Sequence, residues 1–260
     1  MTIRQTLTTS VVAILCIAGV GWLQVPQLRR VIASKQHVSQ PQLEKEVEAE
    51  KLRLNFLEKV PAFGFDNLMS DWVFLNFLQY FGDDDARSKT GYGISPEYFE
   101  VILKHDPRFL QAYLALSVST SMYAGMPERS VGLMEKGLKS VTAQVPHRSY
   151  YIWRYKGIDE LLFLGNHQAA KQSFEKAAEW ANTYPDAESK QVAELSERTA
   201  EFLARNPESK SAQIAAWTMV LNNQVDERTR KIAISKIQEL GGQVEVTPEG
   251  IVRISIPQEE

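Results

Sequence analysis

With 260 residues, 44% of them hydrophobic and 23% charged, the chain can bury a sizeable core, which excludes wholesale disorder. All 32 acidic side chains lie after residue 35, against 25 of the 29 basic ones, so the body is acidic and would repel a phosphate backbone; no nucleic-acid partner is expected. The single cysteine, Cys16, excludes an intrachain disulfide and a cysteine-based zinc site.

No charge appears between Arg4 and Arg29, and the run from Thr6 to Val25 has the length and apolarity of a membrane-crossing helix. Trp22 stands where an interfacial aromatic belongs, Pro26 ends the run, and Arg29 and Arg30 follow. The expectation is an uncleaved single-pass anchor over residues 1–30, in a bacterial inner membrane or a thylakoid membrane. A cleaved signal peptide and a buried helix are the other readings, although no small-x-small site closes the run. The basic residues slightly favour a cytoplasmic body, yet a long C-terminal domain can be exported from such an anchor, so the side stays open.

Residues 31–62 read as a polar linker followed by a charged helix with Leu43, Val47, Leu54 and Leu57 near helical spacing, ended by Pro61 and Gly64. The next stretch, Phe65 to Gly82, is the most aromatic in the chain. Its apolar residues cover nearly the whole helical wheel, which predicts a helix buried on several sides with Asp71, Asn76 and Gln79 in a mostly dry place. A docking face for another membrane protein, carried by Trp72, Asn76 and Tyr80, is the functional reading, and shallow lipid contact is a third. Asp83-Asp84-Asp85 lacks the alternation, glycine and distal glutamate of a calcium loop and reads as a solvated acidic turn, continuing as a loop to Gly93. Ser95-Pro96-Glu97 then opens a helix.

From here the sequence repeats. Pro107, Pro146 and Pro185 are each 39 residues apart; Gly125, Met134 and Gly137 are followed 40 residues later by Gly165, Phe174 and Ala177. A fixed period of this size means stacked helix pairs. The glycine turns the chain, the small residue lets helices approach, the large one fills the gap between them, and the proline marks where one pair gives way to the next.

The second copy, with Trp153, Gly157, Gly165, Ala170, Phe174 and Ala177, resembles the tetratricopeptide repeat (TPR). Gly157 falls one residue early for that pattern, and the period is longer than the usual 34. The stretch from Phe63 to Arg87 followed by these repeats is also similar to membrane-anchored TPR proteins of bacteria, cyanobacteria among them. The resemblance implies an all-α, TPR-like α-solenoid of antiparallel helix pairs over residues 63–240 and a scaffold, adaptor or assembly role. It brings no catalytic residues.

Further helices are expected over Ala187 to Arg205, over Ser211 to Leu221 with Ala215, Ala216, Trp217, Val220 and Leu221 on the buried side, and from an Asp226 cap to Leu240. Residues 241–260 change period: Val244, Val246, Ile251, Val252, Ile254 and Ile256 flank Thr247-Pro248-Glu249-Gly250, which predicts a small β-hairpin.

Enzyme signatures are missing from the sequence: no phosphate loop ends in Gly-Lys-Ser/Thr, no His-Glu-x-x-His occurs, and His37, His105, His147 and His167 stand singly. No catalytic residue, metal, cofactor or small-molecule substrate is therefore expected. Tyr151, Arg154 and Tyr155 are aromatic and basic together; core packing is the first reading and a groove holding a partner peptide or helix the second. The expected function is a membrane-anchored protein-interaction scaffold, acting on membrane proteins and assembling or stabilising a membrane complex. The alternatives are an accessory subunit positioning a separate enzyme, or an exported envelope or secretion component.

Overall fold

The computed structural model describes residues 39–205, 210–222, 227–246 and 252–255, together with Gly19 and Gln24. The chain divides between Glu48 and Ala49 into two units. In the first, residues 39–48 form the opening turns of helix α1 (Gln40–Lys59): the Ser39 carbonyl accepts from the amides of Gln42 and Leu43, Pro41 lies in the first turn where its missing N–H costs nothing, and Leu43 is buried.

The described part of the second unit is almost wholly helical. After the rest of α1 come α2 (Asp66–Phe81), α3 (Asp84–Thr90), α4 (Ser95–His105) and α5 (Leu110–Leu116), which runs on as a π-helical segment (Ser117–Tyr123). Then follow α6 (Pro127–Leu138), α7 (Tyr150–Leu162), α8 (His167–Ala181), α9 (Ala187–Arg205), α10 (Lys210–Asn222) and α11 (Glu227–Glu239). Two short strands, β1 (Gln243–Val246) and β2 (Val252–Ser255), pair antiparallel with Val244 opposite Ile254. The turn between them and Ile256 lie outside the described residues, as do Asp226 and the apolar run from Thr6 to Val25 apart from Gly19 and Gln24. Among the described residues no helix is long and apolar enough to cross a membrane.

Helices near one another in sequence pack together: α2 on α4 across the short α3, the π segment on α6, α6 on α7, α7 on α8, α8 on α9, α10 on α11. The turn geometry repeats at backbone level. At the end of the π segment Ala124 N–H donates to Ser119 O (3.0 Å) and Met126 N–H to Thr120 O (2.9 Å). Forty residues on, Leu164 N–H donates to Asp159 O (3.2 Å) and Asn166 N–H to Glu160 O (2.8 Å). Each turn passes through a glycine in the left-handed region, Gly125 at φ 69° and Gly165 at φ 61°, which a side chain would disfavour. The following helices then start in register, α6 at Pro127 and α8 at His167.

Between these turns the helices meet on small residues. Met134, Ala170 and Ala177 are fully buried and Phe174 nearly so. The Phe174 ring lies against Gly157, where a Cβ would stand 3.2 Å from its Cε2. Tyr113 lies closer still over Gly137. A second core gathers Leu161, Leu162, Phe174, Leu203, Ile214 and Trp217, joining α7 and α8 to α9 and α10. Trp217 and Leu221 are buried as expected, but Ala215 is exposed, and Ile214, which is not among the expected residues, is buried in its place.

Two expectations are corrected. The α2 helix is not buried on several sides. Ser70, Val73, Phe77 and Tyr80 face inward, with Phe74 and Phe81 half-buried beside them against Phe109 and Tyr123, while Asp71 and Gln79 are exposed and Asn76 is half-buried; on the outer side Leu68, Trp72, Leu75 and Leu78 remain exposed. The acidic run is not a turn leading to a loop. Asp83 caps α3, its Oδ1 accepting from Ala86 N–H at 3.3 Å, and Asp84 and Asp85 occupy the first turn, where carboxylates complement the helix dipole.

A candidate interaction surface on helix α2

The turn into α2 is Ala62-Phe63-Gly64-Phe65. Gly64 (φ 89°) and Phe63 (φ 50°) both adopt left-handed backbone, an uncommon choice for a bulky residue, and Phe63 is left 85% exposed. Phe65, Leu68, Trp72 and Leu75 then step along one line of the helix at intervals of three, four and three residues, with Gln79 four further on. Leu68 is 65% and Leu75 58% exposed. This line lies opposite the inward face, so the residues that complete the core and those that stay outside belong to two separate apolar stripes on one helix.

Phe65, Leu68, Met69 and Trp72 enclose a shallow hollow of about 340 Å³. Its wall is held in place locally. Asn76 Nδ2 donates to Trp72 O at 2.7 Å, and the Arg53 guanidinium lies 5.1 Å over the Trp72 ring. Leu52 and Phe56, one turn apart on α1, are exposed as well, and Leu78 flanks the line on α2. Large apolar side chains gathered this way on a surface mark an interaction site rather than ordinary scatter.

The remaining candidates behave differently. Tyr80 points inward: its hydroxyl donates to Gly91 O at 3.4 Å, Arg87 lies 4.0 Å over its ring, and burial pushes its phenol up against the opposing pull of Arg87. On α7, Tyr151 stacks on Tyr155 and donates its hydroxyl to Glu188 of α9 at 2.9 Å; burial first and Glu188 second raise its phenol. Arg154 reaches Ser196 at 3.4 Å, and burial lowers its guanidinium. Tyr151 and Arg154 tie α7 to α9, with Tyr155 stacked on Tyr151. Of the six candidates, Trp72 with Asn76 beside it belongs to the exposed line, and the structure does not bring it together with the α7 group.

His147 sits edge-on to Tyr184, His167 faces Gln213, and no three metal-ligating side chains converge among the described residues. A second hollow, of about 390 Å³, mixes Glu58 and Glu100 with Lys104 and Lys136 and so has no charge preference for a ligand.

The sequence also gives no warning of a buried polar cluster inside the fold. Asp159 on α7 has no exposure and receives three hydroxyls: Ser117 on Oδ1 at 2.6 Å, and Ser121 and Ser130 on Oδ2 at 2.6 and 2.7 Å. Burial pushes its carboxyl up to about 6, with the three serines pulling the other way and Glu160 adding to the rise. The next residue, Glu160, makes its own network with Lys156 and with Ser173, whose hydroxyl donates at 2.6 Å. The serine-rich Ser117-Val118-Ser119-Thr120-Ser121 does not announce it, because a helical serine can bond its own backbone, as Ser119 Oγ does to Ala115 O at 2.7 Å.

No protein-family model, no curated protein and no solved structure matches this chain.

Proposed function

We propose that this chain is a membrane-tethered, TPR-like scaffold that holds a protein partner by packing one of the partner's helices along the exposed line of α2. The observation that carries the proposal is the spacing of that line. Phe65, Leu68, Trp72 and Leu75 alternate three and four residues, the spacing of a seam that receives the side chains of a second helix. A lipid surface is the weaker occupant. Asp71 stands exposed one position off the line, and burying its carboxylate in hydrocarbon would cost several kcal/mol, whereas at the rim of a protein interface it stays in water.

The TPR-like part of the reading draws support from the duplicated turn, with its paired hydrogen bonds and left-handed glycines 40 residues apart, and from short connections between packed neighbours, which favour antiparallel pairs. The tether rests on the apolar run before Pro26 and selects the client class: a scaffold confined to a membrane meets membrane proteins at raised effective concentration. The chain acts by binding in this reading, and stabilising a membrane complex is the concrete role.

A photo-crosslinking side chain placed at Leu68 in the full-length protein, in its own membranes, tests this. One discrete protein adduct is expected. It should disappear when Leu75→Asp is added, while the melting temperature stays unchanged because Leu75 is outside the core. An adduct to lipid alone, or a protein adduct indifferent to Leu75→Asp, would refute the helix-docking role.

A further inference from the structure

We propose that Asp159 is a proton-operated latch on the hairpin of α5, the π segment and α6: proton uptake by its sealed carboxyl group tightens the hairpin, and proton loss loosens it. Three hydroxyls from two elements other than its own converge on this one carboxyl group, two from the π segment and one from α6. Among the described residues an ionised carboxylate there has hydroxyl dipoles but no cation. Lys156, one turn earlier on α7, is taken by Glu160, by Glu135 of α6 and by Ser173 of α8.

Among the described residues no other element supplies a counter-charge. The α5 helix and the π segment contain no charged side chain, and Tyr113 and Tyr123 are their only titratable groups. On α6, Arg129 is held by Glu97 and Glu100 of α4. On α8, Lys171 pairs with Glu175 and Lys176 with Glu179, while His167 faces Gln213. The α10 helix packs Ile214 and Trp217 toward the core that includes Leu161 and Leu162, and its one charged residue, Lys210, is exposed.

The charge is therefore stabilised less where it is buried than it would be in water, and the three hydroxyls recover only part of the loss. The segment holding two of those hydroxyls is π-helical, a form that is rare in proteins and frequent at functional sites. The direction follows from linkage. Asp159 titrates near 6 when sealed and near 3.8 when solvated, so opening the hairpin releases a proton between those values. Opening is thus suppressed at low pH and favoured as pH rises toward 6, by on the order of a hundredfold over the whole window and about tenfold between pH 5 and pH 7.5. A scaffold built this way is stiffer in an acidic compartment.

Amide hydrogen exchange of the full-length protein, corrected for intrinsic rates, reads this directly. Amides of residues 117–126 should open about tenfold more at pH 7.5 than at pH 5, and Asp159→Asn should abolish that difference. Ser130→Ala, which removes one donor to the ionised form, should move the transition to higher pH, an effect a merely structural serine would not have. Equal opening at both pH values in the wild type, a surviving pH dependence in Asp159→Asn, or an unmoved transition in Ser130→Ala would each overturn the latch. If Asp159→Asn does not fold, the wild-type profile and Ser130→Ala decide.

Discussion

Helix α6 contains two glycines five residues apart, and replacing each with alanine should move stability in opposite directions. At Gly132 an added Cβ would meet nothing within 4 Å, so Gly132→Ala gains only the helix-propensity difference, about 1 kcal/mol of stabilisation. At Gly137 the same methyl group would stand 1.9 Å from Tyr113 Oη, 2.7 Å from its Cζ and 2.9 Å from its Cε1. Tyr113 has little room to yield. It is fully buried, and its hydroxyl donates to Pro107 O at 2.7 Å. Overpacking costs about 1–3 kcal/mol and the broken hydrogen bond about 1–2 kcal/mol more; with the propensity gain of about 1 kcal/mol set against them, Gly137→Ala should lose about 1–4 kcal/mol. Urea unfolding followed by circular dichroism gives both values from midpoint shifts at a common slope. Tyr113→Phe sharpens the test: it should cost less in the Gly137→Ala background than in the wild type, because the phenylalanine removes the closest clashing atom. Shifts of the same sign at the two glycines, or a Gly137→Ala protein as stable as the wild type, would refute this packing of α5 on α6.

Two more substitutions probe the interior. Phe174→Ala removes a nearly buried ring packed on Gly157 and should destabilise by about 3–5 kcal/mol; an unchanged melting temperature would mean that Phe174 does not fill the space between α7 and α8. Glu160→Ala leaves the buried Lys156 with only Ser173 and the exposed Glu135, and should cost about 3 kcal/mol in the same unfolding assay. Replacing Lys156 and Glu160 together with methionine should restore stability to within about 1 kcal/mol of the wild type, whereas a double variant as weak as Glu160→Ala would show that the pair contributes more than mutual neutralisation.

Local punctuation made most helices legible. The segment from Ala187 to Arg205, bounded by Pro185 and Asn206-Pro207, forms a helix over those same residues. The spacing of Gly125 and Gly165 marked two turns whose backbones do pass through the left-handed region. What the sequence hid depends on distant partners. The π segment owes its hold to an acceptor 38–42 residues away, which no local pattern announces. The acidic run was misjudged because a capping carboxylate and a solvated one look the same until the following amide is placed. Trp72 could be named as a candidate from its aromatic setting, but Leu68 and Leu75 could not, because periodicity reports that a face is apolar and not whether anything covers it.

That last distinction bears on why the proposed partner is placed on the outer line of α2. The inner stripe, Ser70, Val73, Phe77 and Tyr80, is complete: Ser70 Oγ donates to Ile102 O at 3.2 Å, and Phe77 packs edge-on to Phe99 at 4.6 Å and to Tyr98 at 5.7 Å. Folding asks nothing further of this helix, and a polar outer face would serve it equally well. Three large apolar side chains kept in water along one line contribute little to the fold and raise the hazard of aggregation. Each is already partly covered and would gain roughly half of the ~1.5–3 kcal/mol that complete burial of an exposed side chain yields, and a helix covering Leu68, Trp72 and Leu75 together would collect all three gains toward the cost of ordering the partner. The energetic asymmetry between the two stripes, one already satisfied and one largely exposed, is the physical reason to place the proposed binding on α2 and not on the tyrosine and arginine side chains of α7, whose hydrogen bonds and stacking are already made within the fold.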